Sequence, residues 1–237
     1  MMNKLLIVLG YCVDDAPTAE ALLDWIYVLN GKQKVGHLLL SCHDDVHAEM
    51  RTKVSISAEM AFEHVTQIVP KALVGPHNKV ERINALFKDT AAHVQAHCQW
   101  PFLWMEPDAA PVKSQWIRDL SIAYDMQPMR YMGTILKPSK ESEDRLLSRV
   151  AIYPRNASSD LANAFNGPIP FNLVAGSKIV QSAVKTHLIQ HGSWKSGDAA
   201  DKLTSESVLF HSDKTGRLLP LLRGAFTGSS HRITTTK

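Results

Sequence analysis

The sequence predicts an α/β fold: a central, mostly parallel sheet with helices on both faces, completed by a smaller α+β half. Three observations carry that expectation. Leu5 to Leu9, His37 to Ser41 and Phe102 to Met105 are apolar runs of strand length, as expected of strands buried on both faces. Stretches with apolar residues at helical spacing separate them, so strand and helix alternate through the first half. Further on, paired short strands and turn residues replace that alternation.

In order, the first run closes at Gly10, and Asp14, Asp15 and Pro17 mark a turn and a helix start. Ala21, Leu22, Trp25, Ile26 and Leu29 form one helical face that ends at Asn30-Gly31. The second run ends in Asp44 and Asp45. A weaker helix over Val46 to Phe62 follows, then a short strand, His64 to Val69, stopped by Pro70. Val80, Ile83, Leu86, Phe87, Ala91 and Val94 are the apolar face of a long helix running to about Cys98. After Phe102 to Met105, Trp116, Leu120, Ile122 and Tyr124 suggest another helix. Tyr131 to Leu136 and Arg149 to Tyr153 read as two strands around a charged loop, Lys137 to Asp144. Val174 to Gln190 reads as a helix and Ser207 to Phe210 as a last strand. We expect one domain: residues 1–125 as a first half, 126–223 as a second, and 224–237 as a flexible tail.

The chain has 237 residues, 45% hydrophobic and 21% charged, enough for a sizeable core and against wholesale disorder. Its net charge of +3 is compatible with phosphate-bearing ligands or nucleic acid. Cys12, Cys42 and Cys98 are far apart and odd in number, which argues against a disulfide framework. The short apolar run near the start lacks a signal peptide's layout, and no run is long enough to span a bilayer. A soluble, cytoplasmic protein with no membrane partner is expected.

The chemistry concentrates at Glu106-Pro107-Asp108. Two carboxylates stand where a buried strand must leave its sheet, because Pro107 and Pro111 stop it from continuing. In an open α/β sheet that carboxyl edge is where ligands bind. Adjacent carboxylates repel, so a cation between them is the natural partner, and oxygen donors favour Mg²⁺ or Mn²⁺. His211 ends a later strand and is followed by Asp213, Lys214 and Gly216, setting a metal-ligating imidazole three residues from a phosphate-pairing ammonium. His43/His47, His93/His97 and His187/His191 have helical i, i+4 spacing, with Cys42 and Cys98 beside two of the pairs. No Gly-rich phosphate loop and no G-x-S-x-G is present, against a dinucleotide dehydrogenase, an ATPase or an α/β-hydrolase. A nucleotide would be held by the loops after the first two strands, at Tyr11 to Asp15 and at Asp44-Asp45.

Taken together, these pieces resemble the nucleotide-sugar glycosyltransferases of the GT-A fold, in particular small ones of bacteriophage genomes. They are Leu5 to Asp15, Leu23-Asp-Trp-Ile26, the strand ending at Asp44-Asp45, and Pro76 with Asn78 before the long helix. Phe102-Leu-Trp-Met-Glu-Pro-Asp-Ala-Ala-Pro-Val112, Trp116 and His211-x-x-Lys214-x-Gly216 complete the set. The resemblance implies a metal-dependent transferase, with Mn²⁺ or Mg²⁺ held directly by Asp108, with Glu106 in support and His211 as a further ligand. It also implies a nucleoside-diphosphate-sugar donor, UDP-sugar favoured, on Tyr11, Asp15, Asp44, Asp45, Asn78 and Lys214. Glu-Pro-Asp stands here where the common form has Asp-x-Asp. For a catalytic base the sequence offers Asp160, Glu141 and Glu206 without choosing, and Asp160 is the weak candidate.

The phage-type resemblance and the basic C-terminal end (Lys214, Arg217, Arg223, Arg232, Lys237) point to double-stranded DNA with a hydroxymethylated base as acceptor. The alternatives are a glycan or protein acceptor, a nucleotidyltransferase, and a non-catalytic module stabilised by zinc on the histidine pairs. A nucleotidyltransferase would carry a Gly-rich basic loop after the first strand, where this chain is acidic.

Overall fold

The computed structural model describes residues 5–30, 36–70, 78–137, 144–165, 167–194, 198, 202–213 and 216–230. Its first half alternates as expected: β1 (Leu6–Tyr11), α1 (Ala16–Asn30), β2 (His37–Cys42), α2 (Ala48–Ala61), β3 (His64–Ile68), α3 (Lys79–His97) and β4 (Phe102–Met105). Then come β5 (Ala109–Pro111), α4 (Trp116–Asp125), β6 (Tyr131–Leu136), β7 (Leu146–Tyr153), α5 (Ala157–Asp160), α6 (Phe171–Val174) and α7 (Gly176–Gln181). β8 (Ala183–Lys185), β9 (Ile189–His191), β10 (Leu209–His211) and α8 (Leu218–Ser230) close the order.

A seven-stranded sheet runs β3-β2-β1-β4-β7-β6-β8. The first four strands are mutually parallel, β7 is antiparallel to β4 and β6, and β8 is parallel to β6. Strand alternation divides its side chains between two cores. Ile7 and Leu9, Leu38 and Leu40, and Leu103 and Met105 pack with α1 and α2. Leu6 and Val8, Leu39, and Phe102 and Trp104 pack with Leu86, Phe87, Ala91 and Val94 of α3. Both faces are therefore covered, which is why the middle of each of these strands is a continuous apolar run. Gly10 has a specific reason: a Cβ there would lie 2.4 Å from Cζ2 of Trp104, so only glycine lets the indole cross β1.

Two elements differ from the sequence reading. Val174 to Gln190, expected as one helix, is α6, α7, β8 and β9; Ser182 ends α7, and Ala183 to Lys185 then pair with β6. Residues 224–230, expected in the tail, continue α8. Leu218 and Leu222 recur one turn apart in the α1 core, Phe226 meets Trp25 edge-on at 6.2 Å, and Arg223 Nη2 donates to the Ala21 carbonyl at 3.1 Å. Among the described residues no helix is long and apolar enough to cross a membrane.

Candidate metal centre

At the carboxyl end of β4 the chain changes sheets. Met105 ends the strand, the Ala109 amide donates to the Glu106 carbonyl at 2.9 Å to close a turn, and β5 enters a small sheet of order β5-β10-β9. β5 is an edge strand there, so Pro111 costs no ladder bond. β10 runs antiparallel to β5 with His211 opposite Ala109, which sets the imidazole beside the acidic turn. Ser212 has φ 93, a left-handed conformation that is costly for a non-glycine residue. Its own amide and that of Asp213 reach the Asp108 carbonyl at 3.3 and 3.4 Å, fastening β10's end to the turn.

Donor atoms of Glu106, Asp108 and His211 thereby lie within 4.8 Å of one another, the one such group of three among the described residues. His211 Nε2 is 3.2 Å from Glu106 Oε2 and 3.5 Å from Asp108 Oδ1. Its Nδ1 is 3.2 Å from both Ser148 Oγ and His191 Nδ1, contacts that fix the ring plane and aim Nε2 at the carboxylates. Burial alone would lower the His211 pKa, but its hydrogen bonds to Asp108 and Glu106 outweigh that and raise it. Glu106 is the mirror case. Burial pushes its carboxyl up, yet the Arg149 guanidinium at 2.9 Å and His211 together hold it below the ordinary carboxylate value. Two carboxylates and one imidazole form a mainly oxygen donor set, which fits Mg²⁺ or Mn²⁺.

The two carboxylates of the triad open into a cleft along the carboxyl edge of the sheet. β1's end and the turn after it supply Gly10, Tyr11, Cys12 and Asp15; His43 follows β2; α3 gives Lys79, Arg82, Ile83 and Leu86. Trp104, Arg149, Asp213 and Gly216 complete the wall with Glu106 and Asp108. Half-buried Cys12 donates its thiol to Asp15 at 3.0 Å, and its pKa is pushed up to about 11 by burial and by that carboxylate.

The sequence-derived residues divide clearly. Glu106, Asp108 and His211 converge, and Tyr11 and Asp15 line the cleft with them. Asp44 and Asp45 stand behind it: Asp44 pairs with His43 at 3.0 Å, and Asp45 with Arg82 at 2.9 Å while accepting the Val13 amide. Asn78 is the N-cap of α3, in a capping box with Glu81. Asp160 lies on α5, engaged by Arg130 at 2.8 Å and Tyr131 at 3.2 Å, and is not part of the cleft wall. Exposed Glu206 precedes β10, outside the cleft wall; Lys214 and Glu141 lie outside the described residues. Sequence reasoning missed Arg149, Lys79 and Arg82. Arg149 had a signal, since a lone charge inside an apolar strand is rarely buried without a partner.

Comparison of the coordinates with solved structures returns glycosyltransferases along nearly the whole chain. The galactosyltransferase LgtC, solved with donor and acceptor sugar analogues, matches with a TM-score of 0.59 at 9% identity over 98% of both chains. The chain has the fold of the GT-A glycosyltransferases. Mouse xyloside xylosyltransferase 1 matches with a TM-score of 0.55 at 8% identity, over 90% of this chain and 98% of that one. The bifunctional glycosyltransferase WbbM matches at 0.56 and 9% over 90% of this chain, which spans 46% of the larger protein. No protein-family model matches the sequence, and no curated protein matches it in sequence. The GT-A likeness is thus one of fold, at identities that carry no residue-level homology.

Proposed function

We propose that the chain is a metal-dependent glycosyltransferase that moves a sugar from a nucleoside diphosphate to a hydroxyl acceptor. One observation carries this reading: the Glu106-Pro107-Asp108 turn and His211, brought from a distant strand, meet at the carboxyl edge of a GT-A sheet, at the head of a cleft. In transfer, the bond from the anomeric carbon to the diphosphate breaks and one to the acceptor oxygen forms. A bound divalent ion neutralises charge growing on the departing diphosphate. Asp108 and His211 Nε2 would hold that ion. Arg149 keeps Glu106 ionised and pinned beside it, a supporting place for the first carboxylate. Lys79 and Arg82 on the cleft wall supply positive charge for phosphate oxygens. Tyr11 and Asp15 would face the nucleoside.

The finer reading takes a UDP-sugar as donor and Mn²⁺ or Mg²⁺ as the ion. Its acceptor is a hydroxymethylated pyrimidine in duplex DNA, as in phage DNA modification. That acceptor rests on the sequence resemblance and the basic C-terminal stretch, from which Arg223 is turned inward onto α1. DNA binding that weakens steeply as salt rises is the expected result; binding indifferent to salt, or none, removes it.

The main test is melting temperature with each nucleoside diphosphate, with and without Mn²⁺. A ligand that binds only the folded state raises the midpoint by mass action. A shift that needs both metal and one nucleotide, and that Asp108→Ala removes along with turnover while the protein stays folded, is the expected outcome. Unchanged turnover in Asp108→Ala would sink the assignment.

A further inference from the structure

Four histidines gather at the end of the sheet opposite the acidic cleft. His37 opens β2 and His64 opens β3, and they are register partners, so both side chains leave the sheet on one face. That face is the α3 side: Leu39, two residues past His37, belongs to the α3 core, and Ser41 Oγ lies 2.6 Å from Thr90 Oγ1 of α3. His93 and His97 stand one turn apart at the end of α3. Ring centres are 4.5 Å apart within each pair, and both pairs line one cavity of about 220 Å³ with Cys98 and Trp100.

We propose that this cavity is a second metal site, taking a zinc-like divalent ion on histidines of β2, β3 and α3 as a structural tie. Imidazole donors select zinc, copper or nickel over magnesium or manganese, so the two ends of the sheet differ in metal preference. Rings that share one ion through nitrogens about 2 Å from it have centres about 5 Å apart, close to the spacing within each pair. The C-terminal end of α3 also turns the negative end of its dipole toward a cation there. No three of these donors lie within the 4.8 Å that defines the acidic triad, so the histidines stand as two pairs rather than a closed cage. His64 and His97 are the exposed members, able to rotate and bring the pairs onto one ion. The tie has a physical use. β3 is an edge strand of the sheet and largely exposed, so apolar packing holds it weakly, and an ion shared with α3 would fasten it.

The inference is independent of the donor reading and is tested with the acidic centre disabled. Tag-free Asp108→Asn protein, stripped of metal, is titrated with Zn²⁺ and, as its spectroscopic stand-in, Co²⁺. One ion per chain, the strong visible absorption of four-coordinate cobalt and a zinc-dependent rise in melting temperature are expected. His64→Gln/His97→Gln in that background should lose all three while melting as its parent without metal. Should the double variant melt early, His64→Gln and His97→Gln are read singly, each weakening zinc by roughly tenfold or more. Zinc binding that disappears with Asp108→Asn alone, or that survives the histidine changes at full strength, overturns the proposal.

Discussion

Arg149 and Glu106 show how much of the site is electrostatics set by a few side chains. Glu106 is buried, and an isolated carboxylate there would be protonated; the guanidinium at 2.9 Å keeps it ionised. Removing that cation leaves a buried negative charge without its main partner. Arg149→Met should therefore cost about 3 kcal/mol in denaturant unfolding, and it should weaken any metal or nucleotide response along with it. A loss of well under 1 kcal/mol would mean that solvent already screens the pair. His211 is held at both ring nitrogens, by carboxylates on one side and by Ser148 and His191 on the other, so its orientation is a product of three strands.

Among the elements, α3 has the most to position, since its first turns wall the cleft and its last turns carry His93 and His97. Asn78 starts it: the side chain accepts the Glu81 amide at 3.0 Å, and Glu81 returns a contact to the Asn78 amide at 2.9 Å. Asn78→Ala should destabilise the protein by about 1 kcal/mol, with Lys79 and Arg82 displaced as the helix end frays. Chemical unfolding checks the first part and nucleotide titration the second. An unchanged midpoint would place the helix start under tertiary packing rather than its cap.

At the scale of the molecule, one aromatic cluster joins the parallel half to the later chain. Phe87 of α3 lies 4.9 Å from Trp104 on β4, 4.9 Å from Tyr153 on β7 and 4.2 Å from Phe171 on α6, by ring centres. Phe87→Ala should cost about 3–5 kcal/mol, the usual range for emptying a fully enclosed ring site. Cooperative unfolding that survives this change with little loss would show the two parts to be stabilised separately.

The sequence by itself determined the alternating first half and the place of the acidic turn. Leu5 to Leu9 and Phe102 to Met105 are apolar throughout because both sheet faces are covered, and prolines mark where β4 must end. Such signals are local, carried by periodicity and backbone chemistry within a few residues. Val174 to Gln190 misled because short helices and short strands share an apolar content too brief to show a period, and pairing with β6 decided between them. Residues 224–230 are helical because α1 offers Trp25 and Ala21 as a surface, which composition alone does not reveal. Only the tertiary structure decided that Arg149 clamps Glu106, that Asp45 backs the cleft wall through Arg82, and that His37 and His64 line one cavity with His93 and His97. Each of these brings together residues distant along the chain, and its energy depends on a geometry that no stretch of sequence contains.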